Sequence, residues 1–297
     1  MLLAVVAALA SACGFAVSTS LQHHAAGASV ASAHGVVRLL VHLLTTPLWL
    51  LGALVGAMAF SLHAVALNIG AIALVQPIMV SGVVFAIFVR AAMDREVPSR
   101  DELRSVSVTA VGLAVFLAVA DPTLGDAPDA RTAALLAGLG LLISGSTGFV
   151  AIRRKDAGRQ ALLLGVAAGV LFGLTAGLLK FVTVDLSEGG PLGVILSWRV
   201  WALLCAGVLG VAMNQRAFQI APLSVSMPVL NIVNVLVALL FGFVVFAETP
   251  AHSPLVLAVQ AAALVCMAVG IRQFARAHDR AEAQHDHTSS GLSARSR

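Results

Sequence analysis

The stretch AVALNIGAIALVQPIMVSGVVFAIFVRAAMDRE, Ala64–Glu96, decides the fold, because its pattern recurs later in the chain. Its counterpart is QRAFQIAPLSVSMPVLNIVNVLVALLFGFVVFAE, Gln215–Glu248. At an offset of 151 residues Gly56 meets Gly207, Ala66 meets Ala217, Ile69 meets Ile220 and Pro77 meets Pro228. With one extra residue in the second copy the offset becomes 152, and Glu96 meets Glu248, Pro98 meets Pro250 and Leu103 meets Leu255. Apolar coincidences carry little weight in so apolar a chain, whereas matched prolines and a matched glutamate carry more. Upstream, Phe15 with Phe172 and Leu21 with Leu178 align more loosely. Each copy reads as a short polar turn, an apolar helix bearing a proline, a Glu-x-Pro loop and a further helix.

The composition says which solvent surrounds these helices. Of 297 residues 59% are apolar and only 11% charged, with a mean hydropathy of +0.97. A soluble domain carries roughly 25% charged residues. Lipid is therefore the solvent for most of this chain, and an all-α integral membrane fold is expected. The net charge of +4 does not point to nucleic acid, because the basic residues lie in short loops between apolar runs. With no tyrosine, an aromatic belt rests on Trp49, Trp198 and Trp201. Cys13, Cys205 and Cys266 lie inside apolar runs without metal-ligand or CxxC spacing and read as small buried residues.

Apolar runs long enough to cross a core of roughly 30 Å fall near residues 2–21, 46–67, 70–91, 104–121, 132–152, 160–183, 192–213, 222–246 and 253–273. About nine transmembrane helices are expected. The first run contains LASAC (Leu9–Cys13), yet no positive segment precedes it, so it reads as a spanning helix and not as a cleaved signal. The run VVRLLVHLL (Val36–Leu44) is short, with Arg38 and His42 on one face; it reads as an interfacial helix or a tenth span.

Basic residues orient the scheme. With the C-terminus in the cytoplasm, fifteen of the eighteen lysines and arginines fall in inner loops or the tail, including Arg95, Arg100, Arg153, Arg154, Lys155 and Arg216. The outer side keeps Arg131, Lys180 and Arg199, and its 121–131 segment is acidic. The expectation is a multi-pass protein of the cytoplasmic membrane with its N-terminus outside. After Ala277 the chain becomes polar, and its histidines (His278, His285, His287) read as part of a solvated, disordered tail.

Counting helices then sets the symmetry. Residues 1–121 form a first repeat of four helices, 132–152 a linker helix, 160–275 a second repeat of four, and 276–297 the cytoplasmic tail. One odd crossing between two even units turns the second upside down. Such inverted repeats are common in secondary transporters, whose substrate sites lie near the midplane where the repeats meet.

The twice-occurring pattern of tight turn, proline-bearing helix, glutamate and final helix resembles the drug/metabolite transporter (EamA-like) superfamily, over nearly the whole chain except the tail. The nine-helix layout is similar to the branch that includes the NIPA magnesium transporters. LWLLGALVG (Leu48–Gly56) followed by Pro77 resembles that branch's Trp-x-x-Gly opening and later proline. The resemblance implies solute transport by alternating access, and the motifs specify fold better than substrate. Where the NIPA-like pattern has an acidic residue inside the second helix this chain has Phe60, and the family's asparagine corresponds to His63. That departure argues against magnesium.

Polar residues within spans cost roughly 2.5–3.5 kcal/mol when charged and are functional candidates. No Asp or Glu lies deep in any expected span, so the oxygen ligands favoured by hard divalent cations are missing. Gln76 sits beside Pro77, and Asn231 and Asn234 share one face of the eighth span. Asn231 lies about nine residues from the inner end, roughly 13 Å at 1.5 Å per residue and so near the midplane. Pro77 and Pro228 remove helical hydrogen bonds and open carbonyls toward a path lined by spans 1, 3, 6 and 8. The competing reading makes these amides structural glue between helices. Arg199, expected eight residues into the seventh span, together with Lys180 and His63, defines either a cationic outer vestibule or snorkelling side chains. Glu96 and Glu248 read as anchors or gate ion pairs.

No phosphate-binding loop, Ser-His-Asp set or HExxH is present, so no enzyme activity, metal site or cofactor is expected. The reading is a carrier of a small organic solute; the alternatives are a divalent-cation transporter of the NIPA kind and a non-transporting membrane subunit. The expected partners are that small-molecule or ion substrate and the bilayer, and a homodimer is compatible with the scheme.

Overall fold

The structure is a computed structural model that describes residues 1–29, 45–95, 97–120, 122, 129–248 and 253–295. Among these the elements are all helical: α1 (Leu2–Ser29), α2 (Pro47–Ile69), α3 (Ile72–Met79), α4 (Gly82–Asp94), α5 (Arg100–Val119), α6 (Ala130–Ile152), α7 (Ala157–Leu196), α8 (Trp198–Ile220), α9 (Leu223–Val245) and α10 (Pro254–Arg295). Nine segments among the described residues are long and apolar enough to cross a membrane, α3 and α4 together forming the third. Leu139, Leu142, Val208, Leu236 and Phe243 are among many large apolar side chains left exposed. Such a surface suits lipid and would be a liability in water.

The chain divides into two compact units, Met1–Pro98 and Ser99–Arg297. In the first, α1 lies antiparallel to α2. Small residues allow the approach: a methyl group on Gly14 would sit 2.9 Å from Ala59 Cβ, and one on Gly56 would sit 2.6 Å from Ser18 Oγ. Serine hydroxyls cross the seam, Ser11 donating to Ala59 O and Ser18 to Gly52 O, each at 2.7 Å. These are the short-residue contacts on which helix association in lipid depends. α1 runs parallel to α3 and α4, near Gly70 through Ala4 and near Gly82 through Ala12.

The third span is broken at Val80–Ser81. Val80 N donates to Pro77 O and Ser81 N to Ile78 O, the i→i+3 pattern of a tightened turn. Pro228 stands at the matching position of α9, which stays continuous from Leu223 to Val245. The difference lies downstream. Ser81–Gly82 follows the first proline, whereas Ile232–Val233 occupies the equivalent place in α9. Proline and a Gly/Ser pair are both recognised causes of helix kinks, and only the third span combines them.

In the second unit α7 carries Gly165, Gly169, Gly173 and Gly177 along one face, and α9 packs parallel to it. Added methyls at Gly169 and Gly173 would meet Leu230 O at 2.7 Å and Asn234 O at 2.8 Å. α8 packs antiparallel on α7, and α6 joins α7 through Ser144 Oγ, which donates to Ala167 O at 3.1 Å. α5 and α10 form a further antiparallel pair, with α10 also packed on α9: Gly112 abuts Ala263 and Met267, Gly270 abuts Thr109 and Ser105, and Cys266 Sγ reaches Val108 O at 3.4 Å.

Helix starts follow the local sequence. Ser99 and Glu102 close a capping box on α5, and Asp129, Asp156 and Ser197 accept from backbone N–H groups of the first turns of α6, α7 and α8. Two boundaries differ from the sequence reading. The sixth span continues as α7 to Leu196, with a break at Gly190, whose φ of 61° glycine adopts without steric cost. The seventh span consequently begins at Trp198 and not at residue 192, because extended Ser197 caps it there. The polar end of the chain is carried on as helix in α10 to Arg295. The expected interfacial helix at Val36–Leu44, and Glu96, lie outside the described residues.

Candidate functional site

Within the first unit the structure brings His63 and Gln76 together. His63 projects from α2 and Gln76 from α3, directly before Pro77, with Nε2 of each 3.4 Å apart. The amide N–H donates when that ring nitrogen is unprotonated. Gln76 is buried, and Phe15 of α1 meets the imidazole edge-on at a centroid distance of 6.5 Å. Neither α1 nor α3 carries an acidic residue, so the imidazole faces an amide and an aromatic ring and no counter-charge from these two helices. Ser81 Oγ, at the break of the same span, is buried with no partner.

Within the second unit the asparagines behave differently from one another. Asn231 Nδ2 donates to Met227 O at 2.9 Å, one turn back on its own helix. Asn234 Oδ1 is buried without a partner. An unpaired buried amide oxygen costs about 1–3 kcal/mol, which makes Asn234 the stronger candidate of the two for contact with a visiting polar group.

Arg199 is not an unneutralised vestibule cation. It lies in the first turn of α8, forms a close ion pair with Asp185 of α7, and stacks its guanidinium 4.6 Å from the Phe181 ring centroid. Lys180 does not snorkel to the surface either. It is buried and meets Glu248 Oε1 at 2.5 Å, with its ammonium 4.8 Å from the Phe246 centroid. The rings of Phe181 and Phe246 lie 4.9 Å apart, and Phe241 stands near both at 6.4 and 6.1 Å. A charge inside lipid-exposed helices needs a partner, and each of these two cations has its own carboxylate.

Sequence reasoning missed Asp185 and the three phenylalanines. It had no means of seeing that Glu248, read as an anchor or a gate ion pair, is 1% exposed. Glu248 reaches Lys180 because Ala247 takes a φ of 48°, while the N–H groups of Phe246 and Glu248 both donate to Gly242 O at 3.1 Å. The one available signal was the repeat itself, which singled out Glu248 without naming its partner. Among the described residues no three His, Cys, Asp or Glu side chains come together as a metal site.

No family model and no solved structure matches the chain. It is 29% identical over 251 residues to an uncharacterized protein of Corynebacterium glutamicum, an alignment spanning 83% of this chain and 86% of that protein. The similarity thus runs through most of both proteins and includes most of the membrane-spanning segments.

Proposed function

We infer that the chain is a secondary carrier of the drug/metabolite transporter kind, moving a small organic solute across the cytoplasmic membrane by alternating access, with N-terminus outside and C-terminus inside. One observation carries the reading. Helices α5 and α10, which the 152-residue offset makes equivalent, pack against each other antiparallel. Repeat mates that run in opposite directions are what an inverted repeat requires, and inverted repeats are the common architecture of secondary transporters. The inner packing of the two units supports it: in each, the repeat's first span is antiparallel to the second and parallel to the third.

The candidate polar contacts are His63 and Gln76 in the first unit and Asn234 and Asn231 in the second, with Pro77 and Pro228 as local helix perturbations. Arg199 holds Asp185 and orders that end of its unit. These groups are neutral or internally paired, which favours a neutral or zwitterionic organic solute over a hard divalent cation.

A thermal-shift screen of the purified protein against amino acids, polyamines, sugars and divalent metals, followed by flux of each hit into proteoliposomes, tests the proposal. A ligand of the folded state raises the melting point by mass action. An organic hit that is also transported is the expected result. Flux of divalent metal alone would turn the reading to a cation transporter, and stabilisation and flux by none would leave a membrane subunit.

A further inference from the structure

One end of the second unit is more elaborate than a helix anchor needs to be. Lys180 on α7 and Glu248, just beyond α9, are an ion pair with side-chain exposures of 10% and 1%. Asp185, further along α7, pairs with Arg199 at the start of α8. The aromatic rings lie between: Arg199 lies over Phe181, Phe181 meets Phe246 at a tilt of 45°, and Lys180 lies over Phe246. Two cations therefore stand at opposite ends of one aromatic layer. Seven residues back along α9 from Phe241, about 10 Å at 1.5 Å per residue, Asn234 holds its unpartnered buried oxygen. An apolar layer thus separates the charged end from a polar atom inside the helices.

A buried ion pair is not the strongest way to hold two elements together, because well-packed apolar side chains of similar volume do as well or better. The ion pair has a second state that an apolar pair lacks. When parted, both ions recover their hydration. Ala247 adds to this, since a non-glycine residue at a φ of 48° is strained, and its strained turn is what presents Glu248 to Lys180. The closed arrangement is held by attraction and opposed by hydration and backbone strain, which are the ingredients of a two-state element.

We propose that Lys180 and Glu248 form a releasable latch that closes this end of α7 and α9 over Asn234, with Arg199–Asp185 as a second fastening and the phenylalanines as the water-excluding layer. The latch rests on the carrier reading for its purpose, since alternation is what a releasable closure serves. Its test does not need a solute.

The full chain carrying Cys13→Ala, Cys205→Ala, Cys266→Ala and the reporter Asn234→Cys is reconstituted in liposomes. The rate of its modification by a membrane-impermeant charged methanethiosulfonate is measured from each face in turn. Lys180→Met and Glu248→Gln are each expected to raise the rate at least about tenfold from the face nearer residues 180 and 248, as a shift in the open population requires. The charge swap K180E/E248K should return the rate to about that of the parent. K180M/E248L should fall below it, because opening that pair recovers no hydration. Parental rates in all folded variants overturn the latch, as does a swap that labels as fast as the single variants. Should the single variants fail to fold, K180M/E248L decides alone, and a rate equal to or above the parent's overturns it. Parental labelling in every reporter variant, together with solute transport by the protein that keeps native Asn234, removes the latch and leaves the carrier. Latch behaviour without flux of any solute removes only the carrier.

Discussion

Lys180 Nζ and Glu248 Oε1 stand 2.5 Å apart although 68 residues separate them in sequence. The pair joins α7, ahead of its break at Gly190, to the connection that follows α9. Its burial makes it a strong constraint on variants, because a charge that loses this close partner there does not recover the hydration it would have in water.

Removing one member should therefore be far worse than removing both. Lys180→Met is expected to destabilise the protein by about 3–5 kcal/mol, whereas K180M/E248L should be neutral or more stable by about 1–4 kcal/mol. Unfolding in mixed micelles with increasing sodium dodecyl sulfate measures both. Equal losses in the single and double variants would show that the ion pair is not the origin of the effect.

The glycine face of α7 makes a steric prediction. Gly169→Ala would bring a methyl group to 2.7 Å from Leu230 O and 2.8 Å from Val233 Cβ. A backbone oxygen does not yield as the tip of a flexible side chain does, so a loss of about 1–3 kcal/mol is expected. Gly138→Ala, with nothing within 4 Å, is the control and should be neutral or slightly stabilising. The same micelle titration separates the two.

Pro77→Ala should lengthen helix across the break at Val80–Ser81 only in part, because Ser81–Gly82 remains. Pro77→Ala combined with Gly82→Val, the residue at the matching position of α9, should merge α3 and α4. Amide hydrogen exchange at residues 80–83 reads the outcome: intermediate slowing in the first variant and α9-like protection in the second. Undiminished exchange in the double variant would mean that packing around the span, and not its own sequence, makes the break.

Asp129 gives a pH-dependent outcome outside the spans. Its carboxylate accepts from the Thr132 hydroxyl first and then from the Arg131 N–H, and these bonds hold its pKa below the usual aspartate value. A lowered folded pKa means that the stabilisation is present in full above the unfolded value, about 3.9, and is lost as pH falls through the folded value. Asp129→Ala should remove this acid dependence of the start of α6. Melting points taken from pH about 6 downward in both proteins test it, and parallel curves would deny the cap its role.

Gln76→Leu tests the first unit's polar pair under the carrier reading. Uptake of the solute found by the screen should fall by about tenfold, the loss of roughly 1.4 kcal/mol of interaction, while the melting point moves little. A lowered melting point with unchanged flux would identify the amide as glue between α2 and α3.

How the elements become legible is seen best in particular residues. The spans could be read from the chain because a bilayer demands about twenty apolar residues per crossing, and runs such as ALVQPIMVSGVVFAIFV admit no other use. Pro77 was visible as a perturbation, but its twin Pro228 leaves α9 whole, and that outcome depends on the residues four and five positions later. Arg199 illustrates the opposite limit. Its place eight residues into a span followed from hydropathy alone, which continues through residues 192–196, whereas Gly190 and the cap at Ser197 shift the start of α8 to Trp198.

Number of crossings, lipid as solvent and the twofold internal likeness are properties of composition and period, which act locally and are written along the chain. The joining of Lys180 to Glu248, of Arg199 to Asp185 and of His63 to Gln76 depends on the rotation of each helix about its axis and on how closely glycine and serine faces approach. One residue of register changes a helical side chain's direction by about 100°, so these meetings arise only when the helices have packed.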